Sequence, residues 1–399
     1  MLREREKRRD RKPIGSAPPA TEKKSPANQP DRSDLMAKGL FTQGMCVLLK
    51  QPLPLEEIQE RLKSFELVAR QESDDDDAPE TLVYEFRPDV GGHLLVTPTS
   101  SPWPDDMGDP DESPERFVAW SLGQFGPLAF PGGLDRATSQ SWGWEGAPDV
   151  VSQHTAHVRL LISYVLGSDE DDDEDLPMVP EDYDAIAELQ TLTRAVTALL
   201  ESPHSLCYFN PGGEILRDAT LLRQGLNHAW CHELPPLDMW TNVRIFSEED
   251  GWVVMDTVGN GQFDLPDMEA VCRRDVYQPG DIENFLRHAT LYLLAGDEDV
   301  CTGDTADGPG DISWSAIECG TSLSDPPRPT IRWIPEDPHE PPEHLLDPGD
   351  EEMDEELDEL LDGDDEESFL DDHEMRGSSY EDHLEDLDDG DEPPGSVPF

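Results

Sequence analysis

An α+β fold, with an antiparallel or mixed sheet and packed helices, is the class this chain predicts, and three observations predict it. Short runs rich in Val, Leu, Ile, Phe and Tyr alternate with amphipathic stretches across residues 36–335. A strand, helix, strand, strand order opens that region and similar segments return later, which suggests two ferredoxin-like halves sharing a core. The two ends lack apolar periodicity, so disordered termini are expected over residues 1–35 and 336–399.

The elements follow in order. MCVLL reads as a strand and LPLEEIQERLKSFELV as a helix, because Leu55, Ile58, Leu62 and Phe65 fall at helical spacing. ESDDDD loops out, and LVYEF and HLLVTPT are strands. The Pro- and Asp-rich stretch 103–114 is a loop. RFVAWSLGQFG and the segment around Trp142 and Trp144 supply aromatics to cover one sheet face. HTAHVRLLISYVL is a further strand, GSDEDDDEDLP an acidic insert, and YDAIAELQTLTRAVTALLE a helix with Pro180 before it and acids in its first turn. SLCYF is a strand ending in the turn NPGGE, which AFPGGLDRA earlier partly mirrors.

A hairpin forms the centre: NVRIF and WVVMDTV flank the turn SEEDG. VGNGQF and LPDMEAV follow, where Gly259 and Gly261 permit unusual backbone angles. This stretch reads either as an exposed corner with a function or as a tight turn. DIENFLRHATLYLLAG is a helix closed by Gly296. DVCTGDTADGPGDISWSAIECG reads as strand, Gly/Asp loop and strand, and PPRPTIRWIPED closes the fold.

Charge narrows the function classes. Lys+Arg 29 against Asp+Glu 90 gives a net charge of −61, which opposes electrostatic binding to nucleic acid or to an anionic membrane. It favours basic partners, cations or plain solubility. No apolar run approaches ~18 residues, and no apolar core follows the basic segment MLREREKRRDRKPIG, so neither a membrane span nor an export signal is expected. Met36 would serve equally well as a start, and a genuine basic arm or an over-extended start both fit. The six cysteines are scattered without a CxxC pair, as reduced thiols in a cytoplasm would be. About half of the negative excess lies beyond Pro335, where EEMDEELDELLDG and SFLDDHEM scatter apolar residues among acids and could fold on a basic protein partner.

Two constellations could carry chemistry. The first joins Asp256, Asp264, Asp267 and Glu269 with Asp304, Asp307 and Asp311 in Gly-rich loops. Oxygen-rich loops suit hard cations, yet neither loop has the Ca²⁺-binding EF-hand spacing, so turns and solvated faces are the simpler reading. The second is His228, Cys231 and His232 in NHAWCHE, which on a helix would present soft ligands to zinc. It needs more ligands from His154, His157 or His204, so ordinary histidines are again simpler. No nucleophile elbow, phosphate loop or dinucleotide fingerprint occurs. Arg244 pairs with Asp256 across strands or meets an anionic ligand, the pair being the simpler reading. Trp240, Trp252 and Trp314 read as core or rim aromatics.

DTVGNGQFDLPDMEA, with Thr257 and Gly259 followed by Pro266 and Glu269, resembles a bacterial family known as domain of unknown function 4261. Gly303, Asp304 and Thr305 after a helix, the opening strand and helix at 45–65, and the strand 154–164 with the helix 184–200 support the likeness, which would span residues 36–335. The resemblance implies an α+β fold and carries no catalytic assignment.

The chain is therefore expected to be one α+β domain over 36–335 between a basic arm and an acidic tail, acting as a non-catalytic cytoplasmic interaction or regulatory module with no metal or cofactor. Its candidate surface site comprises Arg244, Asp256, Thr257, Gly259, Gln262, Asp267, Glu269, Asp304 and Thr305. The alternative is a metal-dependent hydrolase using Asp256, Asp267, Glu269 and Asp304, with His232 as a further ligand.

Overall fold

The alternation of apolar residues along each strand decides which layer covers it, and two sheets result. A computed structural model describes residues 38–71, 79–165, 179–296 and 299–346, all within the compact unit Met1–Pro348. The basic arm, the acidic inserts around Asp74 and Asp169, and the tail beyond Leu346 lie outside the described residues, and so do the expectations placed on them.

The first sheet has the order β2-β3-β4-β5-β1-β6-β7, with β1 Gln43–Leu49, β2 Leu67–Gln71, β3 Thr81–Glu85, β4 His93–Thr99, β5 Ala156–Ser163, β6 Ser205–Asn210 and β7 Ile215–Arg217. All its pairings are antiparallel. Every residue of β1 is buried because both faces are covered. Met45, Val47 and Leu49 meet Ile58 and Leu62 near helix α1 (Leu55–Arg61) and Leu189, Leu192 and Val196 of the later long helix. Cys46 and Leu48 meet Trp103, Trp120, Phe125, Leu134 and Val151, contributed around helices α2 Pro114–Ser121, α3 Gly133–Ser139 and α4 Ala147–Val151. The long helix is α5, Ala185–Leu199, whose first turn is capped by the Asp184 carboxylate accepting from the Ala187 N–H. Within this sheet β4-β5-β1-β6, with α1 and α5 as crossovers, has the antiparallel ferredoxin-like order.

Two more helices, α6 Ala219–Cys231 and α7 Leu237–Trp240, lead into the second sheet, of order β11-β12-β13-β10-β9-β8. Its strands are β8 Asn242–Ser247, β9 Trp252–Val258, β10 Asp267–Arg273, β11 Thr305–Gly308, β12 Ile312–Cys319 and β13 Thr330–Pro335. It consists of two antiparallel meanders joined where β10 runs parallel to β13, with helix α8 (Pro279–Leu294) as the crossover. One face, including Met268, Trp314 and Trp333, packs on Phe285 and Leu286 of α8. The other, with Trp252, Val254 and Val271, is met by Leu345.

Two boundaries differ from the sequence reading. The first helix stops at Arg61 rather than running to Val68, since Leu67–Gln71 pairs with β3 instead; strand pairing outweighs the local helical spacing. Packing also continues past Pro335 to Leu346, because Arg332 donates to the carbonyls of Leu345 and Leu346. Among the described residues no helix is long and apolar enough to cross a membrane.

Candidate functional site

The candidate site grows from two glycine turns that interlock where the sheets meet. Gly259 ends β9 at φ +116°, which side-chained residues avoid. A Cβ on it would stand 2.7 Å from the Cα of Gly213, in the NPGGE turn between β6 and β7. A Cβ on Gly213 would lie 1.9 Å from the Trp240 carbonyl oxygen. Neither position has room for a side chain. The seam is stitched by amides: the Asn210 side chain donates to Gln262 Oε1 at 2.9 Å, and both Asn210 and Gln262 donate to the Trp240 carbonyl at 3.0 and 2.9 Å.

Alongside runs a ladder of alternating charge. Arg136 Nε lies 2.7 Å from Glu214, Glu214 lies 3.0 Å from Arg244, and Arg244 grips Asp256 with two bonds of 3.0 and 2.6 Å. Arg328 then bridges Asp256 and Asp267 at 2.5 and 2.9 Å. The Ser324 hydroxyl donates to Asp256 and accepts from Arg244. Beside the ladder, Glu269 pairs with Arg332 at 2.8 Å and accepts the Leu323 N–H at 2.8 Å. Asp267 also accepts from the Thr257 hydroxyl at 2.7 Å and from the N–H groups of Gly259 and Asn260 at 3.3 and 3.0 Å. Such bonds are what a charge needs to remain buried.

Burial and pairing act against each other on these groups. Burial raises the Asp267 carboxyl above its usual range despite Arg328, and raises Glu214 and Glu269 despite their arginines. Burial also pushes Asp256 upward, but Arg328 and Arg244 together outweigh it and leave its carboxyl below the usual value. On Arg328 burial is outweighed by Asp256 and Asp267, which hold it firmly charged.

The residues expected at one surface site thus separate. Arg244, Asp256, Thr257, Gly259, Gln262, Asp267 and Glu269 come together, but in the buried seam rather than at an exposed corner; Arg244, Asp256 and Glu269 are 0 % exposed. Interlocking turns and strand pairing on both sides seal them. Asp304 and Thr305 are exposed at the start of β11. Strands β12 and β13 lie between β11 and β10, which sets Asp304 three strand spacings, about 14 Å, to the side of β10, and the register offsets it further along the strand from Asp267. The acid set of the hydrolase reading is therefore not assembled. His232 caps the C-terminus of α6, its ring tilted against that of His228 with centroids 4.3 Å apart, and among the described residues no group of three His, Cys, Asp or Glu side chains could hold a metal ion. His154 accepts the Trp103 N–H, while His157 faces the Ser101 carbonyl, where burial pushes its pKa down to about 4.

Sequence reasoning missed Arg136, Glu214, Ser324, Arg328 and Arg332. A signal existed for two of them: in a chain short of cations, an arginine inside TIRWI or between prolines in PPRPT needs a buried acid. It also missed a second polar knot on the other side of Gln262. Glu188, 0 % exposed, accepts from Thr42 at 3.0 Å and Tyr164 at 2.6 Å. Burial pushes its carboxyl up to about 7. Lys38 donates to Tyr183, and to the Gln262 carbonyl at 3.2 Å, and burial lowers its pKa.

The seam is also where the sequence meets a known family. Residues 256–334 match the model of a domain of unknown function, DUF4261. Over this segment the chain is similar to that family. The segment runs from the end of β9 to β13 and so covers the ladder's Asp256, Asp267 and Arg328 together with Glu269, Arg332, Asp304 and Thr305. The resemblance expected over 36–335 is found over the DUF4261 segment, while Arg136, Glu214 and Arg244 reach the ladder from outside it. Comparison with curated proteins and with solved structures finds no match.

Proposed function

We propose that this protein is a non-catalytic interaction module for basic protein partners, working in the cytoplasm. One observation carries the first half of the reading: the four carboxylates Glu214, Asp256, Asp267 and Glu269 are each bound by arginine, so the most elaborate polar site is already saturated by its own side chains. Catalytic carboxylates need an open position for metal, water or substrate. The excess charge of −61 supports partners of opposite sign. All six cysteines are free thiols, which suits a reducing compartment.

The test is a calorimetric titration of the full chain with a short arginine-alanine peptide, beside a chain ending at Leu346. Saturable binding that weakens with salt, and weakens again without the tail, supports the reading. Absence of binding at low salt, or metal-dependent turnover of an ester or phosphoester that disappears in Asp267→Asn, overturns it.

A further inference from the structure

We infer that the trough between α8 and the edge strand β11 is the docking site for an arginine or lysine side chain of an extended partner peptide. This inference rests on the interaction-module reading and names where and how that module binds. The trough has a volume of about 650 Å³ and is lined by Phe285, His288, Tyr292, Asp304, Asp307 and Trp333 among others. A volume of that order suits a side chain with part of its backbone. Aromatic rings line it, with Phe285 and Trp333 edge to face at 5.3 Å, and rings attract a cation through their faces. Asp304 and Asp307 stand exposed at its rim, and the Cys301 N–H donates to Asp304 at 2.8 Å, fixing its carboxylate beside the opening.

A second, independent feature points to a ligand. Trp333 is 3 % exposed, lines the trough, and its indole N–H has no hydrogen-bond acceptor among the described residues. A buried donor of this kind costs about 1–3 kcal/mol when left unmet. The acids ask for a cation and the indole asks for an oxygen. A peptide bearing a basic side chain offers both, the second as its backbone carbonyl. The neighbouring strand supports an extended ligand: among the described residues β11 pairs only with β12 and stands at the edge of its sheet, and its residues Thr305, Ala306 and Asp307 line the trough.

The experiment titrates the full chain with the capped peptide acetyl-Ala-Arg-Ala-Arg-Ala-amide while following tryptophan indole N–H resonances by NMR. The Trp333 signal is assigned from Trp333→Phe, with the remaining indole signals reporting that this variant is folded. Parallel arms use the glutamine version of the peptide and agmatine, which has the guanidinium but no carbonyl. The expected result is a saturable shift of the Trp333 indole with the arginine peptide alone, and binding weakened about tenfold in the double variant Asp304→Asn with Asp307→Asn. Peptide binding that leaves Trp333 unmoved and is unchanged in the double variant overturns this site while the interaction reading stands. Agmatine binding as tightly as the peptide overturns the peptide as occupant in favour of a free amine. No peptide binding at all overturns both readings.

Discussion

The seam and the trough contain the same acidic residue types and use them in opposite ways. At the seam Asp256 and Asp267 are shut between sheets, each gripped by arginine and fed by hydroxyl or backbone donors. In the trough Asp304 and Asp307 stand at an opening beside aromatic rings and a buried indole donor that has no acceptor among the described residues. The seam meets each of its carboxylates with an arginine, whereas Asp304 and Asp307 have no such cation among the described residues. Polar content is thus a poor guide to a binding site, because a fully paired network is a fastening. The informative quantity is what each polar group still lacks.

The sharpest way to break the comparison is Arg328→Met. It leaves Asp256 and Asp267 buried without their shared cation, and chemical denaturation should show a loss of about 3–5 kcal/mol. A loss below about 1 kcal/mol would mean that the seam relaxes freely and is no fastening.

Glu188 offers the next largest effect, since it is a buried acid with hydroxyl partners in place of an arginine. Its folded pKa of about 7 lies above the ordinary 4.5, so the folded state holds the proton more tightly. Its contribution is therefore fully present below the unfolded value and is lost as pH rises through the folded one. Relative to the natural protein, Glu188→Gln should gain about 3 kcal/mol between roughly pH 4 and pH 8, on the order of the shift at 1.36 kcal/mol per unit. Urea denaturation at both pH values measures this; parallel stability curves would show that the carboxyl stays charged in the fold.

A smaller effect belongs to Ser324→Ala, which removes one hydroxyl from Asp256 and Arg244 but keeps their ion pair. Thermal unfolding should report a loss of about 1 kcal/mol. Asp304→Asn should be the smallest, within about 0.5 kcal/mol by the same melt, because the residue is exposed. A large loss there would make the trough's acid structural, and the contrast between the regions would fail.

Much of the fold was legible because it is local. The hairpin NVRIF and WVVMDTV pairs as its alternation requires, and Arg244 does face Asp256 across β8 and β9. The long helices α5 and α8 keep nearly the expected limits, with Asp184 as a cap and Gly296 at φ +79° after α8. The glycines of VGNG were conspicuous too, but whether they served an exposed corner or a tight turn was not legible. The need for small size at Gly259 comes from Gly213, which is remote in sequence, and from Thr241 and the Gln262 amide. Arg328 was harder still, since a proline-flanked arginine has no periodicity to betray its partners.

The chain by itself determined its strands, its principal helices, its acidic balance and the pairing of Arg244 with Asp256, all set by neighbours along a strand or one helical turn away. Only the tertiary structure decided which carboxylates are neutralised and which face outward. Asp256, Asp267 and Asp304 are chemically alike, and what separates them is desolvation and the guanidiniums that long-range packing brings within hydrogen-bond distance.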